Sequence, residues 1–261
     1  MSNKKYTNHI IAVDLDETLL NSKGQISNRT KNTLSKCKEL GVKIVVSSAR
    51  GYGTCKNISA EISADYICCQ AGNMIVDGDD KIIYSNALDK TEVSAFIDHF
   101  SKFTNYFIMD STFNLYGGTN DKFCKSWGVI HCDINNLKEL DVYKIFIYFE
   151  DSYKQEIENY CKARGFICHE MRGAPMMFVS PPKSDKFFAL EKLMSVLNTN
   201  ANNLIVFGDD YSDLLSIQKA GIGVAVANSK PEVLESAQFN TLSNDEDGVA
   251  LFLEKHFNIW H

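Results

Sequence analysis

No stretch of this chain approaches the roughly 20 consecutive apolar residues that a membrane-spanning helix requires, so an integral membrane protein is not expected. The apolar core and small-residue cleavage site of a secretory signal are missing too. Met1-Ser2-Asn3-Lys4-Lys5 leads directly into the strand-like His9-Ile10-Ile11-Ala12-Val13. There is no dense Lys/Arg stripe, and the formal net charge is -6, which argues against a nucleic-acid partner. A few local cations and a metal ion suffice to hold one small anion, so a phosphorylated metabolite remains open. The 8 cysteines are scattered without any CxxC pair, which speaks against a zinc site or a disulfide framework. Reduced thiols in a cytoplasm are the simpler expectation. Internal repeats and low-complexity tracts are likewise absent.

What the chain does contain is 261 residues of ordinary globular composition, 44% hydrophobic, enough for one large domain or two modest ones. Ile10 to Leu15 reads as a buried strand. Ser27 stands as an N-cap for a helix ending near Leu40, with Gly41 placed to close it. Val42–Val46 and Tyr66–Cys69 give two more strands. The rhythm returns after Lys186, where Phe187, Leu190, Leu193, Met194 and Leu197 recur at a helical period. A strand follows over Asn203–Phe207, then a helix over Leu214–Ala220 and a strand over Gly221–Val226. Strands separated by helices predict an α/β fold with a parallel, Rossmann-like sheet.

The middle differs in texture. It is rich in aromatics, with helices expected near Thr91–Phe103 and Ser152–Arg164 and strands near Tyr106–Met109, Val142–Phe149 and Met176–Val179. This predicts an α+β module at residues 86–183, inserted between two core segments at 1–85 and 184–261. Phe96, Phe100 and Phe103 sit at helical spacing and read as the apolar core of that module.

Chemistry concentrates at the predicted strand ends, where ligands bind in open parallel sheets. Asp14-Leu15-Asp16-Glu17-Thr18 follows the first strand. Two carboxylates so close repel unless a cation or a proton lies between them, and a hard divalent ion such as Mg²⁺ would relieve that cost. A solvated Asp-x-Asp turn explains the same residues equally well in isolation. Ser47-Ser48-Ala49-Arg50 ends the second strand with a hydroxyl and a turn of N–H groups suited to phosphate oxygens. The neighbouring Gly51-Tyr52-Gly53 lacks the third glycine of a dinucleotide fingerprint and reads as a turn. Lys186 opens the helix after the insertion and could neutralise a phosphate and a carboxylate together, with Lys183 as its rival. Gly208-Asp209-Asp210-Tyr211-Ser212-Asp213 repeats the arrangement around Asp14 at another strand end. Three acids in one such turn make sense beside a metal.

Together these elements resemble, in order and in placement, the four motifs of the haloacid dehalogenase superfamily. Asp14–Thr18 resembles DxDxT, Ser48 the Ser/Thr motif, Lys186 the Lys motif, and Gly208–Asp213 GDxxxD. Val226-Ala227-Asn228-Ser229 and Asn244-Asp245-Glu246-Asp247-Gly248-Val249 resemble its Cof-type branch, whose α/β cap is inserted between the second and third motifs. The branch usually carries Gly at the position of Glu17, Thr-Gly at Ser48-Ala49, and Asn at Ser212. Ser48 keeps the hydroxyl and Ala49 the backbone N–H; Ser212 keeps a small polar group.

The resemblance implies a cytoplasmic, Mg²⁺-dependent phosphatase of small metabolites, sugar phosphates first. Asp14 would be the nucleophile, Asp16 the general acid and base, and Lys186 a charge partner. Mg²⁺ would be held by Asp14, the Asp16 carbonyl and Asp209, with Asp213 and Asp210 orienting ligands or waters. Phosphate oxygens would meet Ser48, Lys186 and the N–H groups of Leu15, Asp16 and Ala49, with Ser212 in support. Arg50 would brace the substrate or form a structural salt bridge. Arg172 and Met176 are the cap candidates for substrate contact, against the simpler reading of a surface loop with apolar filler. Two rival functions stand beside this one: a sugar-phosphate mutase using the same aspartyl-phosphate, and a non-catalytic phosphometabolite sensor. No protein partner is implied.

Overall fold

The computed structural model describes residues 5–118, 122–171 and 174–259. Its strands are β1 (Ile10–Val13), β2 (Lys43–Ser47), β3 (Tyr66–Cys69), β4 (Met74–Asp77), β5 (Ile82–Ser85), β6 (Phe107–Ser111), β7 (Leu115–Gly117), β8 (Ile130–His131), β9 (Val142–Tyr148), β10 (Ile167–Glu170), β11 (Met176–Ser180), β12 (Leu204–Gly208), β13 (Ile222–Ala225) and β14 (Phe239–Asn240). The helices are α1 (Asn28–Glu39), α2 (Tyr52–Glu61), α3 (Lys90–Phe100), α4 (Lys122–Ser126), α5 (Ile134–Leu137), α6 (Asp151–Arg164), α7 (Lys186–Val196), α8 (Tyr211–Lys219), α9 (Pro231–Ser236) and α10 (Gly248–Phe257). Two compact units result. One takes the chain up to Arg50, Thr54–Tyr84 and everything from Asp185 onward; the other takes Gly51–Gly53 and Ser85–Ser184.

The first unit is built on an eight-stranded sheet in the order β14-β13-β12-β1-β2-β3-β4-β5. The six strands from β14 to β3 run parallel, and β4 turns back antiparallel on β3. All four residues of β1 and all five of β12 are buried, as strands covered on both faces must be. Their apolar side chains pack with Phe187, Leu190, Leu193 and Met194 of α7 and Ile217 of α8. This is the α/β parallel-sheet core predicted above. The Ser27 cap forms, its side chain accepting from the Thr30 N–H, and Gly41 closes α1 at φ 98°.

The second unit holds a six-stranded sheet, β10-β11-β9-β6-β7-β8, in which β7 and β8 are parallel and the resolved pairs among β10, β11, β9, β6 and β7 antiparallel. Alternation along β9 sends Ile145 and Ile147 into the main cluster with Phe96 and Phe100 of α3 and Ile157 of α6, while Phe146 faces a smaller cluster on the opposite side. Phe103 departs from the expected core role. It lies beyond the end of α3, is 39% exposed, and stacks on Tyr153 at 5.2 Å between ring centroids.

Candidate active site

Register places the motifs. Val13 of β1 lies opposite Phe207 of β12 on one side and Val46 of β2 on the other. The residues that follow these three in register are Asp14, Gly208-Asp209 and Ser47-Ser48, so the sheet itself gathers the acidic and hydroxyl groups. Helix α7 adds Lys186 as its first residue, capped by the Asp185 side chain, which accepts from the Phe187 N–H at 2.7 Å.

At the centre is a buried charge cluster. Lys186 Nζ donates to Asp14 Oδ1 at 2.6 Å and to Asp213 Oδ1 at 2.7 Å, and all three side chains are less than a tenth exposed. One carboxylate oxygen from each of Asp14, Asp209 and Asp213 lies within 4.8 Å of the others. Asp209 Oδ1 accepts from the Thr18 hydroxyl at 2.7 Å. The second oxygen of Asp213 accepts from the N–H groups of Asp209 and Asp210 at 3.3 and 3.4 Å. Gly208 makes room for this: a Cβ there would sit 2.4 Å from the Asp213 Cβ and Cγ. Gly72 serves Lys186 in the same way. At φ 88° it lets the turn approach Asp185 so closely that a Cβ would lie 2.2 Å from the Asp185 carbonyl oxygen.

Three acids and one ammonium, all ionised, leave this cluster at a charge of about -2 in a buried site. The strain shows in the titration. Burial raises the Asp14 carboxyl to about 7, with Lys186 opposing the rise and Asp213 and Asp209 adding to it. Burial likewise raises Asp209 to about 6, against the Thr18 hydrogen bond. Burial also works against the Lys186 ammonium, yet Asp213 and Asp14 outweigh it and hold Lys186 above its usual range. A hard divalent cation fits: the donors are all carboxylate oxygens, and its charge would cancel the excess.

These shifts carry a pH prediction for the metal-free protein. Between pH 3.8 and about 7 an unfolded Asp14 is ionised while the folded one keeps its proton, and Asp209 behaves alike up to about 6. The folded state therefore binds more protons, and stability falls as pH rises through that window. Urea unfolding in EDTA is expected to give a lower midpoint at about pH 7 than at about pH 5, with added Mg²⁺ removing the difference. A midpoint that climbs with pH in EDTA would contradict the charge accounting.

Other predicted residues stand differently. Asp16 does not join the acid cluster. The chain turns at Glu17, φ 56°, and the Asp16 carboxylate, 56% exposed, takes a bidentate pair from Arg50 at 2.5 and 2.9 Å. Asp210 also stays outside it, capping α8 by accepting from the Tyr211 N–H at 2.7 Å. Ser48 is buried at its strand end and accepts from the Arg50 N–H through Oγ at 3.2 Å. Leu15 is buried, whereas Ala49 and Ser212 are exposed. Lys183 is exposed and belongs to the other unit. Met176 is 3% exposed and packs with Ile108 and Cys124, which is the apolar-filler reading. Arg172 lies outside the described residues. Sequence reasoning gave no role to Thr18, although a hydroxyl four residues after the first acid was visible in the motif.

A family model described as haloacid dehalogenase-like hydrolase matches residues 11–253. The chain belongs to this family. Among the relatives of this haloacid dehalogenase-like hydrolase is the phosphatase YwpJ of Bacillus subtilis, 26% identical over 92% of this chain and 97% of its own. Another, from the same organism, is the 5-amino-6-(5-phospho-D-ribitylamino)uracil phosphatase YcsE, 24% identical over 92% of each. The fold matches that of the subclass IIB sugar phosphatase BT4131 with a TM-score of 0.77 and 19% identity, over 97% of this chain and 100% of that one. The haloacid dehalogenase-like hydrolase described here is a phosphatase. Among its described residues, no helix is long and apolar enough to cross a membrane.

Proposed function

We propose that the protein is a Mg²⁺-dependent phosphatase of small phosphorylated metabolites, sugar phosphates first, acting through an aspartyl-phosphate on Asp14. The observation that carries this reading is the buried Asp14–Asp209–Asp213 cluster with Lys186 hydrogen-bonded to two of its members. Relatives bearing phosphatase names on a ribityl phosphate and on sugars support the substrate class.

Asp14 and Asp209 would hold the metal together with the Asp16 carbonyl, and Asp213 would orient the cluster through Lys186 and the N–H groups it accepts from. The bound ion would supply charge neutralisation between the Asp14 carboxylate and an incoming phosphate. Asp14 Oδ then attacks phosphorus in line, and the leaving alcohol takes a proton from Asp16. The same carboxylate afterwards accepts a proton from the water that cleaves the acyl phosphate. Arg50 occupies both Asp16 carboxylate oxygens, so the pair has to loosen before Asp16 can reach the leaving group. Ser48, Lys186 and the Leu15 and Ala49 N–H groups would meet the phosphoryl oxygens. Asp210 and Ser212 are assigned no direct contact; the Asp210 cap fixes the first turn of α8, which carries Asp213. Leaving-group choice would fall to the inserted unit, residues 86–183.

Phosphate release from a panel of sugar, polyol and nucleotide phosphates tests the proposal. Release with Mg²⁺ that EDTA abolishes, strongest on sugar or polyol phosphates, is the expected outcome. Undiminished turnover in EDTA would refute the metal dependence, and isomerised hexose phosphate without free phosphate would establish the mutase instead.

A further inference from the structure

The two C-terminal motifs that resemble the Cof-type branch, around Asn228 and around Asn244, contain nothing that the phosphatase chemistry uses. Both are tied to the loop that leaves Asp14. Asn228 Nδ2 donates to the carbonyl of Glu17 at 2.7 Å. Its Oδ1 accepts from the Asn244 N–H at 3.1 Å, and Asn244 Nδ2 donates to the carbonyl of Leu20 at 2.8 Å. One residue further, Asp245 Oδ1 accepts from the Ser22 N–H at 2.8 Å. Two segments more than 200 residues away in sequence thus grip the backbone at Glu17, Leu20 and Ser22.

The point they grip is strained. Glu17 holds φ 56° and ψ 6°, a left-handed conformation that side chains with a Cβ resist. That turn separates Asp14 and Asp16, which precede it, from Thr18, whose hydroxyl meets Asp209. If Glu17 relaxed to negative φ, the Asp16 carboxylate and the Thr18 hydroxyl would both move. Asn228 is itself exposed, so its amide adds little to the packed core, and its visible work is these hydrogen bonds.

We infer that Asn228, braced by Asn244, is a positioning residue of the phosphatase: it holds Glu17 in the left-handed turn that sets Asp16 and Thr18 for catalysis. The inference rests on the phosphatase reading and deepens it.

The test is steady-state kinetics on Asn228→Ala, Asn228→Asp and the double variant Asn228→Ala with Glu17→Gly, each checked for folding by circular dichroism. A glycine occupies φ 56° without strain, so it should make the clamp dispensable. Asn228→Ala is expected to lose roughly tenfold in kcat with KM within about twofold. Asn228→Asp, which cannot donate to the Glu17 carbonyl, should lose at least as much. The double variant should recover most of the loss. Turnover per folded molecule unchanged in Asn228→Ala, whatever its melting point, would overturn the inference, as would a loss that Glu17→Gly does not repair. No phosphate release by the wild-type protein on any substrate would count against the phosphatase reading itself, so the two failures are distinguishable.

Discussion

Asp14→Asn is expected to abolish phosphate release, by roughly 10⁴-fold or more, while leaving the fold intact or more stable in EDTA. An amide keeps the shape of the carboxylate but cannot form the acyl phosphate. Its effect on stability follows from the charge cluster. The substitution removes one of three buried acids, the one whose carboxyl burial drives up to about 7, and Lys186 keeps Asp213 as a partner. The repulsion among Asp14, Asp209 and Asp213 falls with it. Thermal melts should therefore show an equal or higher midpoint for the variant without metal, and a smaller gain on adding Mg²⁺ than the wild type shows. Activity within tenfold of wild type would remove Asp14 from the nucleophile's role. A variant melting far below wild type in EDTA would mean that the Lys186 ion pair, not carboxylate repulsion, dominates the cluster.

Lys186→Met carries the largest expected cost in stability. Lys186 is 2% exposed and neutralises two buried carboxylates. Methionine matches its apolar stem and lacks only the terminal ammonium, so packing changes little, but Asp14 and Asp213 lose the cation hydrogen-bonded to both. Removing one side of a buried ion pair costs about 3–5 kcal/mol. The variant should partly recover by protonating Asp14, so its destabilisation in EDTA is expected to shrink toward pH 5 and grow toward about pH 8. Saturating Mg²⁺ should restore much of the stability without restoring turnover, which is expected to stay roughly 10²–10³-fold down for want of a charge on the phosphoryl group. Chemical unfolding at several pH values, with and without Mg²⁺, separates these effects. A variant as stable as wild type in EDTA at neutral pH would contradict the reading of the site as an under-neutralised acid cluster.

How far the sequence foretold this site depends on what each residue's role requires. Asp14, Ser48 and Asp209 were legible because each follows an apolar strand, and the parallel register then brings them together with no help from side chains. Lys186 was legible as the first residue of a periodic helix. Which acids of Gly208–Asp213 face inward was not legible. Asp209 and Asp213 turn in while Asp210 is used up as a helix cap, a choice made by backbone geometry that three acidic letters within five residues do not reveal. Asp16 fell to the same ignorance, since the left-handed Glu17 and the Arg50 fork draw its side chain outside the acid cluster. Asn228 and Asn244 act through backbone carbonyls, so their chemistry gives no acid, base or ligand pattern to find.

In the second unit the long buried elements α3, α6 and β9 were predicted from their apolar content. The two residues of β8 are both exposed, and β10 is exposed or half-buried throughout, so neither shows the alternation of a half-buried strand. Those edge strands follow from pairing, β10 on β11 and β8 on β7, and pairing is decided by the finished sheet.

The proposed mechanism requires Asp14 to become covalently phosphorylated. Enzyme mixed with saturating sugar phosphate and Mg²⁺, quenched in acid within a turnover and treated with borohydride, tests it directly, because reduction converts an aspartyl-phosphate to homoserine. Peptide mapping by mass spectrometry is predicted to find homoserine at position 14 in a fraction of the molecules and at no other aspartate. Rapid phosphate release with Asp14 unmodified at every quench time, or with the label on Asp16 or Asp209, would contradict the account.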